Sequence, residues 1–287
     1  MSEPRDEYLA VRGLRLHLLC WDGAGDPFVL LHGLASNART WGAVGRALNA
    51  AGHAVVAVDQ RGHGLSDKPA TGYGFDEVTA DLAALLEALA FARRPILAGQ
   101  SWGGNVVLDF AARYPEAARG IVLVDGGLIE LSARPGMTWE RAAAELRPPP
   151  LAGTPRAELA ARLRQAHPDW GDEGIEATLA NMETLPDGTI RPWLTLERHL
   201  EILRALWEHH PSQLYARVTA PTLIVQADDG NAEWTASKRA TAAVAERALP
   251  KARVVWFAET AHDVHVHRPE ALARLMLAAL ADGFFGG

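Results

Sequence analysis

The sequence predicts an α/β fold, with a mostly parallel sheet and helices packed on both of its faces. Three observations carry this reading. Apolar runs without strand-type alternation, such as Pro27-Phe28-Val29-Leu30-Leu31, His53-Ala54-Val55-Val56-Ala57-Val58 and Gly120-Ile121-Val122-Leu123-Val124, are the pattern of strands buried on both sides. These runs alternate with segments whose apolar residues recur at helical spacing, the rhythm of a parallel sheet. The rhythm then breaks between residues 129 and 216, where several helical stretches and Pro148-Pro149-Pro150 occur with no convincing strand. We therefore expect a core built from residues 1–128 and 217–287, with residues 129–216 inserted as a helical cap.

Taken in order, residues 8–11 and 14–21 alternate around Arg12-Gly13 and predict an antiparallel hairpin, with Leu14, Leu16, Leu18 and Cys20 sharing one face. A strand at 27–31 ends in His32-Gly33, and residues 40–51 follow with a helical pattern. The strand at 53–58 closes in Asp59-Gln60-Arg61-Gly62-His63-Gly64. Residues 76–91 carry a helical apolar face that leaves Asp81 and Glu87 off it. After the strand at 95–98, a helix over 105–114 and the strand at 120–124, the alternation pauses. It resumes with Pro221-Thr222-Leu223-Ile224-Val225, a helix near 235–248, a strand at 252–257 and a last helix at 269–281.

Bulk properties narrow the function. A formal charge of −7 and a pI near 5.9 argue against a nucleic-acid partner and leave no basic tract for anionic membranes. Cys20 is the single cysteine, so no disulfide framework or cysteine-based metal site is expected. No apolar run approaches the roughly 20 residues of a membrane span. The first seven residues are acidic and lack the apolar core of a signal peptide, so a cytoplasmic protein is the expectation.

The chemistry centres on Gly99-Gln100-Ser101-Trp102-Gly103-Gly104, set between an apolar strand and a helix. A serine is a weak nucleophile unless it is exposed, rigid and next to a base. A sharp strand-to-helix turn supplies the first two conditions, and glycines on either side of it admit close backbone approach. This G-x-S-x-G context resembles the nucleophile elbow of the α/β-hydrolase family. His32-Gly33, the segment Asp59-Gln60-Arg61-Gly62-His63-Gly64-Leu65-Ser66-Asp67 and the stretch Ala261-His262 followed by Pro269-Glu270 are similar to segments of the same family.

The resemblance implies the roles. Ser101 would be the nucleophile, and His262, beyond the strand at 252–257, the base; His265 and His267 do not match the base position. The orienting acid follows the serine in chain order. Pro221-Thr222-Leu223-Ile224-Val225-Gln226-Ala227-Asp228-Asp229-Gly230 resembles the family strand that ends in G-x-x-D, but a gapless match puts Gly230 on the acid. A loop one residue shorter gives the role to Asp229, our preferred carboxylate, with Asp125 and Asp228 as rivals. The N–H groups of Leu34 and Trp102 would form the oxyanion hole, while His32 props its loop and the 59–67 segment is structural.

A serine rather than an aspartate at 101 speaks against epoxide opening and halide displacement and for acyl transfer. The expected function is hydrolysis of a small carboxylic ester or lactone through an acyl-enzyme, with no metal and no cofactor. Carbon–carbon bond hydrolysis of a diketone, cofactor-free perhydrolysis and ligand binding with little turnover stand as alternatives. Trp139, Trp170, Trp193 and Trp207 in the expected cap, with Trp41, Trp102 and Trp234 near the motif loops, suggest an apolar or aromatic substrate. Arg162, Arg164 and Arg198 are candidates for a substrate carboxylate, though solvated helix faces suit them better. The oligomeric state is not expressed in these motifs.

Overall fold

A computed structural model describes residues 2–286. Strands β1 (Arg5–Val11) and β2 (Leu14–Trp21) pair antiparallel, with Val11 opposite Leu14. Arg12 and Gly13 between them both hold positive φ, 48° and 80°, as a two-residue hairpin requires. Strand β3 (Gly25–Leu31) leads through helix α1 (Gly42–Ala50) to β4 (His53–Val58), and helix α2 (Phe75–Leu89) leads to β5 (Ile96–Gln100). Helix α3 (Trp102–Arg113) joins β5 to β6 (Gly120–Val124). The eight-stranded sheet has the order β1-β2-β4-β3-β5-β6-β9-β10, where β9 is Thr222–Asp228 and β10 is Ala252–Ala258. Every pairing from β4 to β10 is parallel, so the predicted fold class is the observed one.

The unbroken apolar strands follow from this two-sided burial. Successive side chains of a strand point to opposite faces. Leu97 thus joins one core layer with Val106 and Phe110 of α3, while Ile96 and Ala98 join the other with Val44 and Leu48 of α1. The second layer is closed by Leu272 and Met276 of the last helix, Pro269–Ala281.

Asp81 departs from the sequence reading. It is buried on α2, where the Arg61 guanidinium donates to it at 2.5 and 2.8 Å and Arg12 donates at 2.9 Å. The carboxylate faces inward because two arginines meet it there, which the apolar spacing of one helix cannot reveal.

Between β6 and β9 the chain forms α4 (Trp139–Glu145), α5 (Arg156–Ala166), α6 (Asp172–Leu179), β7 (Met182–Thr184), β8 (Ile190–Pro192) and α7 (Leu196–Glu208). The expectation of no strand in this stretch is corrected by the antiparallel β7–β8 ribbon. Asp187-Gly188 turns it: Gly188 has φ 81°, and Asp187 accepts the Thr189 N–H at 2.9 Å. Leu159, Trp170, Ile175, Leu179 and Ile190 make a small core of their own, whereas Ile202, Leu203 and Leu206 of α7 join the main core. Helix α8 (Ala232–Ala248) connects β9 to β10, and α9 (Val264–His267) precedes the last helix, α10.

Candidate active site

Ser101 stands at the junction of β5 and α3 with φ 53° and ψ −122°, a conformation a non-glycine residue adopts at a cost of about 1–3 kcal/mol. The surroundings hold it there. Its N–H donates to the Val124 carbonyl at 3.0 Å, and its carbonyl accepts from Gly104 at 2.9 Å. A Cβ at Gly99 would sit 2.2 Å from the Gly103 oxygen, and one at Gly103 would sit 2.4 Å from the His32 oxygen. The turn is thus too tight for side chains on either flank. Gly126 belongs to the same packing, since its Cβ would meet the Ser101 oxygen at 2.1 Å.

His262 lies in the loop after β10 and is anchored from three sides. Thr260 N–H donates to the Asp228 carbonyl at 2.9 Å, and Ala261 N–H donates to His267 Nδ1 at 3.1 Å. Gln100, the last residue of β5, reaches the His262 carbonyl and Asp263 Oδ1 through Nε2, at 3.4 and 3.3 Å. The residue before the serine therefore ties the elbow to the histidine loop, a link no sequence motif announced.

The carboxylate beside His262 is Asp125. Its Oδ2 is 2.7 Å from His262 Nδ1, and its Oδ1 accepts from Ala227 N–H at 3.0 Å and from Lys238 Nζ at 3.0 Å. Burial acts to raise the Asp125 pKa but is outweighed by the hydrogen bond and charge of His262 and by Lys238, so the group is held below the usual carboxylate range. For His262 desolvation acts downward, and the Asp125 hydrogen bond with the charges of Asp263 and Asp125 outweighs it, leaving the imidazole raised. About 52% of the His262 side chain is accessible, and the residue lines the cavity described below.

The preference for Asp229 is corrected. Strand β9 runs on through Asp228, pairing it with Ala258, so Asp228 ends the strand and Asp229 lands in the turn before α8. There Asp229 accepts Asn231 N–H at 3.0 Å and stays exposed, and Asp228 accepts Gly230 N–H at 3.1 Å and the Thr235 hydroxyl at 3.0 Å. β6, in contrast, ends at Val124, and Asp125 turns toward the His262 loop with φ 41°.

Ser101, Asp125 and His262 line one cavity of about 730 Å³. Leu34 and Trp102 lie on its wall, and neither N–H has a hydrogen-bond partner among the described residues. The Leu34 loop is braced from behind. His32 Nε2 accepts Gln60 N–H at 3.1 Å, Gln60 Nε2 donates to the His32 carbonyl at 2.7 Å, and Ala35 N–H donates to His63 Nε2 at 3.2 Å. Burial pushes His63 down to about 3, so its Nε2 remains an acceptor. Asp59 accepts from Ala38 and Leu65 N–H groups, at 2.7 and 2.8 Å, and Asp67 accepts Arg15 N–H at 2.8 Å.

The cavity wall differs from the expected aromatic one. Of the tryptophans singled out, only Trp102 and Trp234 line it, and Leu128, Ile129, Leu131, Leu203 and Leu206 give the wall an aliphatic surface. Trp41 is buried against His265, Trp170 fills the small core, Trp139 packs on Trp207, and Trp193 lies under Lys68. Arg162 and Arg164 pair with Glu158 and Asp172, while Arg198 donates to the Pro69 and Lys68 carbonyls. Among the described residues, no group of three or more His, Cys, Asp or Glu side chains is disposed to hold a metal ion, and no helix is long and apolar enough to cross a membrane.

Comparison with known proteins assigns the family. The family model described as "Alpha/beta hydrolase family" matches residues 28–275. The chain belongs to that family. It is similar to 2-(acetamidomethylene)succinate hydrolase of Mesorhizobium japonicum, 39% identical over 103 residues that cover 36% of each chain. A putative non-heme chloroperoxidase of Synechocystis is 37% identical over 92 residues, 32% of this chain and 33% of that protein. These matches span about a third of the curated relatives' length. Among solved structures, that of E-2-(acetamidomethylene)succinate hydrolase superposes with a TM-score of 0.78 at 25% identity, covering 97% of this chain and 99% of the other.

Proposed function

We propose that this α/β hydrolase is a serine hydrolase that cleaves a small carboxylic ester or lactone through an acyl-enzyme. Ser101 is the nucleophile, His262 the base and Asp125 the orienting acid. The observation that carries the reading is the 2.7 Å contact between Asp125 and His262, on the wall of the cavity that Ser101 shares.

The steps follow from the tautomer this contact selects. Nδ1–H donates to Asp125, which leaves the Nε2 lone pair to take the Ser101 proton as the hydroxyl attacks a carbonyl. The oxyanion is received by the N–H groups of Leu34 and Trp102, which have no competing partner to release. The imidazolium, stabilised by Asp125, then protonates the departing alcohol. In the second half His262 deprotonates water, which attacks the acyl carbonyl and frees Ser101. Residues 129–216 act as the cap, with Leu131, Leu203 and Leu206 excluding water from the acyl group.

The test is turnover of short-chain aryl esters, lactones and a diketone side by side, together with perhydrolysis of acetate. Activity on an ester or lactone that disappears in Ser101→Ala is the expected result. Cleavage of the diketone alone, or turnover of none of these, overturns the ester and lactone reading.

A further inference from the structure

The cavity holds a second chemical feature besides the candidate triad. Its wall carries two acidic groups, Asp125 and Glu130, and each is engaged: Asp125 by His262 and Lys238, Glu130 by His210 at 3.0 Å. It also carries Arg134, whose guanidinium makes no hydrogen bond or ion pair among the described residues. The guanidinium carbon lies 4.9 Å from the centre of the Trp234 ring. Glu145 attracts it at a distance but spends its own hydrogen bond on Arg141, at 2.6 Å. Burial lowers the Arg134 pKa from its ordinary value, so the charge stands in a partly desolvated place without a counter-ion.

The position is fixed by the backbone. Arg134 closes the short helical turn Leu131–Ala133, its N–H donating to Leu131 at 3.2 Å and its carbonyl accepting from Met137 at 3.1 Å. Beside it the cavity is lined by exposed residues, Ala133, Pro135, Trp234 and Ser237, whereas Trp102, Leu131, Leu203 and Leu206 elsewhere on the wall are buried. Arg134 therefore sits on an exposed part of the wall of a cavity whose buried lining includes Leu128, Leu131, Leu203 and Leu206. A planar guanidinium backed by an aromatic face presents its N–H fork for two-point recognition of a carboxylate.

We infer that Arg134 is a specificity-determining residue that binds a carboxylate at the far end of the substrate, so that the preferred esters are anionic, with an aliphatic middle and a terminal acid group. The inference rests on the serine-hydrolase reading above and adds the substrate class to it. It also moves the anion-binding role away from Arg162, Arg164 and Arg198, which lie outside the cavity lining.

The test uses p-nitrophenyl monoesters of the linear dicarboxylic acids from succinate to suberate, each paired with the methyl-ended acyl ester of equal length. The readout is the ratio of kcat/KM for the acid-ended over the methyl-ended ester in wild type, Arg134→Gln and Arg134→Lys. At one chain length the wild-type ratio exceeds one, Arg134→Gln lowers it by about tenfold or more through KM, and Arg134→Lys keeps part of it. No preference at any length, or the same ratio in Arg134→Gln, overturns the inference and leaves the hydrolase reading standing. Turnover of no ester overturns the hydrolase reading instead. Calorimetric binding of the same monoesters to Ser101→Ala then decides the anion site, which is lost if acid-ended and methyl-ended probes bind equally.

Discussion

Asp125 Oδ2 lies 2.7 Å from His262 Nδ1, a contact that joins two loops 137 residues apart in the chain. One loop follows β6 and the other follows β10, so the pair spans the part of the sheet that holds β9. Removing the Asp125 carboxylate leaves His262 free to take the wrong tautomer. Asp125→Asn is expected to lower kcat by about 10³–10⁴-fold with an aryl ester. Asp229→Asn, which disturbs only a turn before α8, stays within a few-fold of wild type. The opposite ranking contradicts the assignment.

Lys238 tunes this pair. Its ammonium donates to Asp125 at 3.0 Å and also to the Ala227 carbonyl, and its charge lowers the pKa of both Asp125 and His262. The proposed mechanism needs neutral His262, whose pKa lies above the ordinary histidine value, so kcat/KM is expected to fall as pH drops through that raised value. Lys238→Met removes a cation that opposed protonation. The acid limb of its pH–kcat/KM profile moves to higher pH. A limb that stays in place or moves down contradicts the role.

Gly126 is expected to admit no side chain. A Cβ there falls 2.1 Å from the Ser101 oxygen and 2.5 Å from its nitrogen, both backbone atoms that cannot step aside. Gly126→Ala should destabilise the fold by about 1–3 kcal/mol, read from denaturant unfolding. It should also lower kcat/KM by about a hundredfold or more, through displacement of the serine. Near-normal activity in this variant would mean that the elbow is not held from the Asp125 side.

Legibility followed how local each constraint was. The elbow could be read because its glycines fall in one short run. Gly99 answers to a contact within that turn, against Gly103, while Gly103 meets the backbone of His32. His262 could be read from a family spacing. The carboxylate that meets His262 could not, because the choice between Asp125 and Asp229 depends on where two strands stop. Val124 pairs with Val225, and β9 then continues to Asp228, three residues beyond that pairing. That register is set by the sheet and not by the run Ala227-Asp228-Asp229-Gly230. The aliphatic cavity wall and the unpaired Arg134 are likewise properties of the assembled fold. The β7–β8 ribbon was missed because its three-residue strands are too short to show alternation, and Asp187-Gly188 was the hairpin signal that could have found it.

Acid stability offers a separate check on the buried frame. His265 is fully buried against Trp41, neither of its ring nitrogens has a partner among the described residues, and burial pushes it down to about 4. The unfolded chain binds a proton at this residue near the ordinary pKa of ~6.5, and the folded chain does so only near 4. Between those values the unfolded state carries more protons, so this residue removes stability as pH falls, at up to about 1.4 kcal/mol per unit. His265→Phe keeps the aromatic contact and removes the titration. Its unfolding free energy should therefore decline less steeply than that of wild type from pH 6.5 to 4, and parallel curves would contradict the account.

Covalent capture tests whether Ser101 is the nucleophile. A fluorophosphonate is incubated with wild type, Ser101→Ala and Asp125→Asn, and the adduct is located by peptide mass spectrometry. The account predicts one adduct, on Ser101, formed rapidly in wild type, slowly in Asp125→Asn and not at all in Ser101→Ala. Labelling of Ser101→Ala at the wild-type rate, or no labelling of wild type, contradicts it.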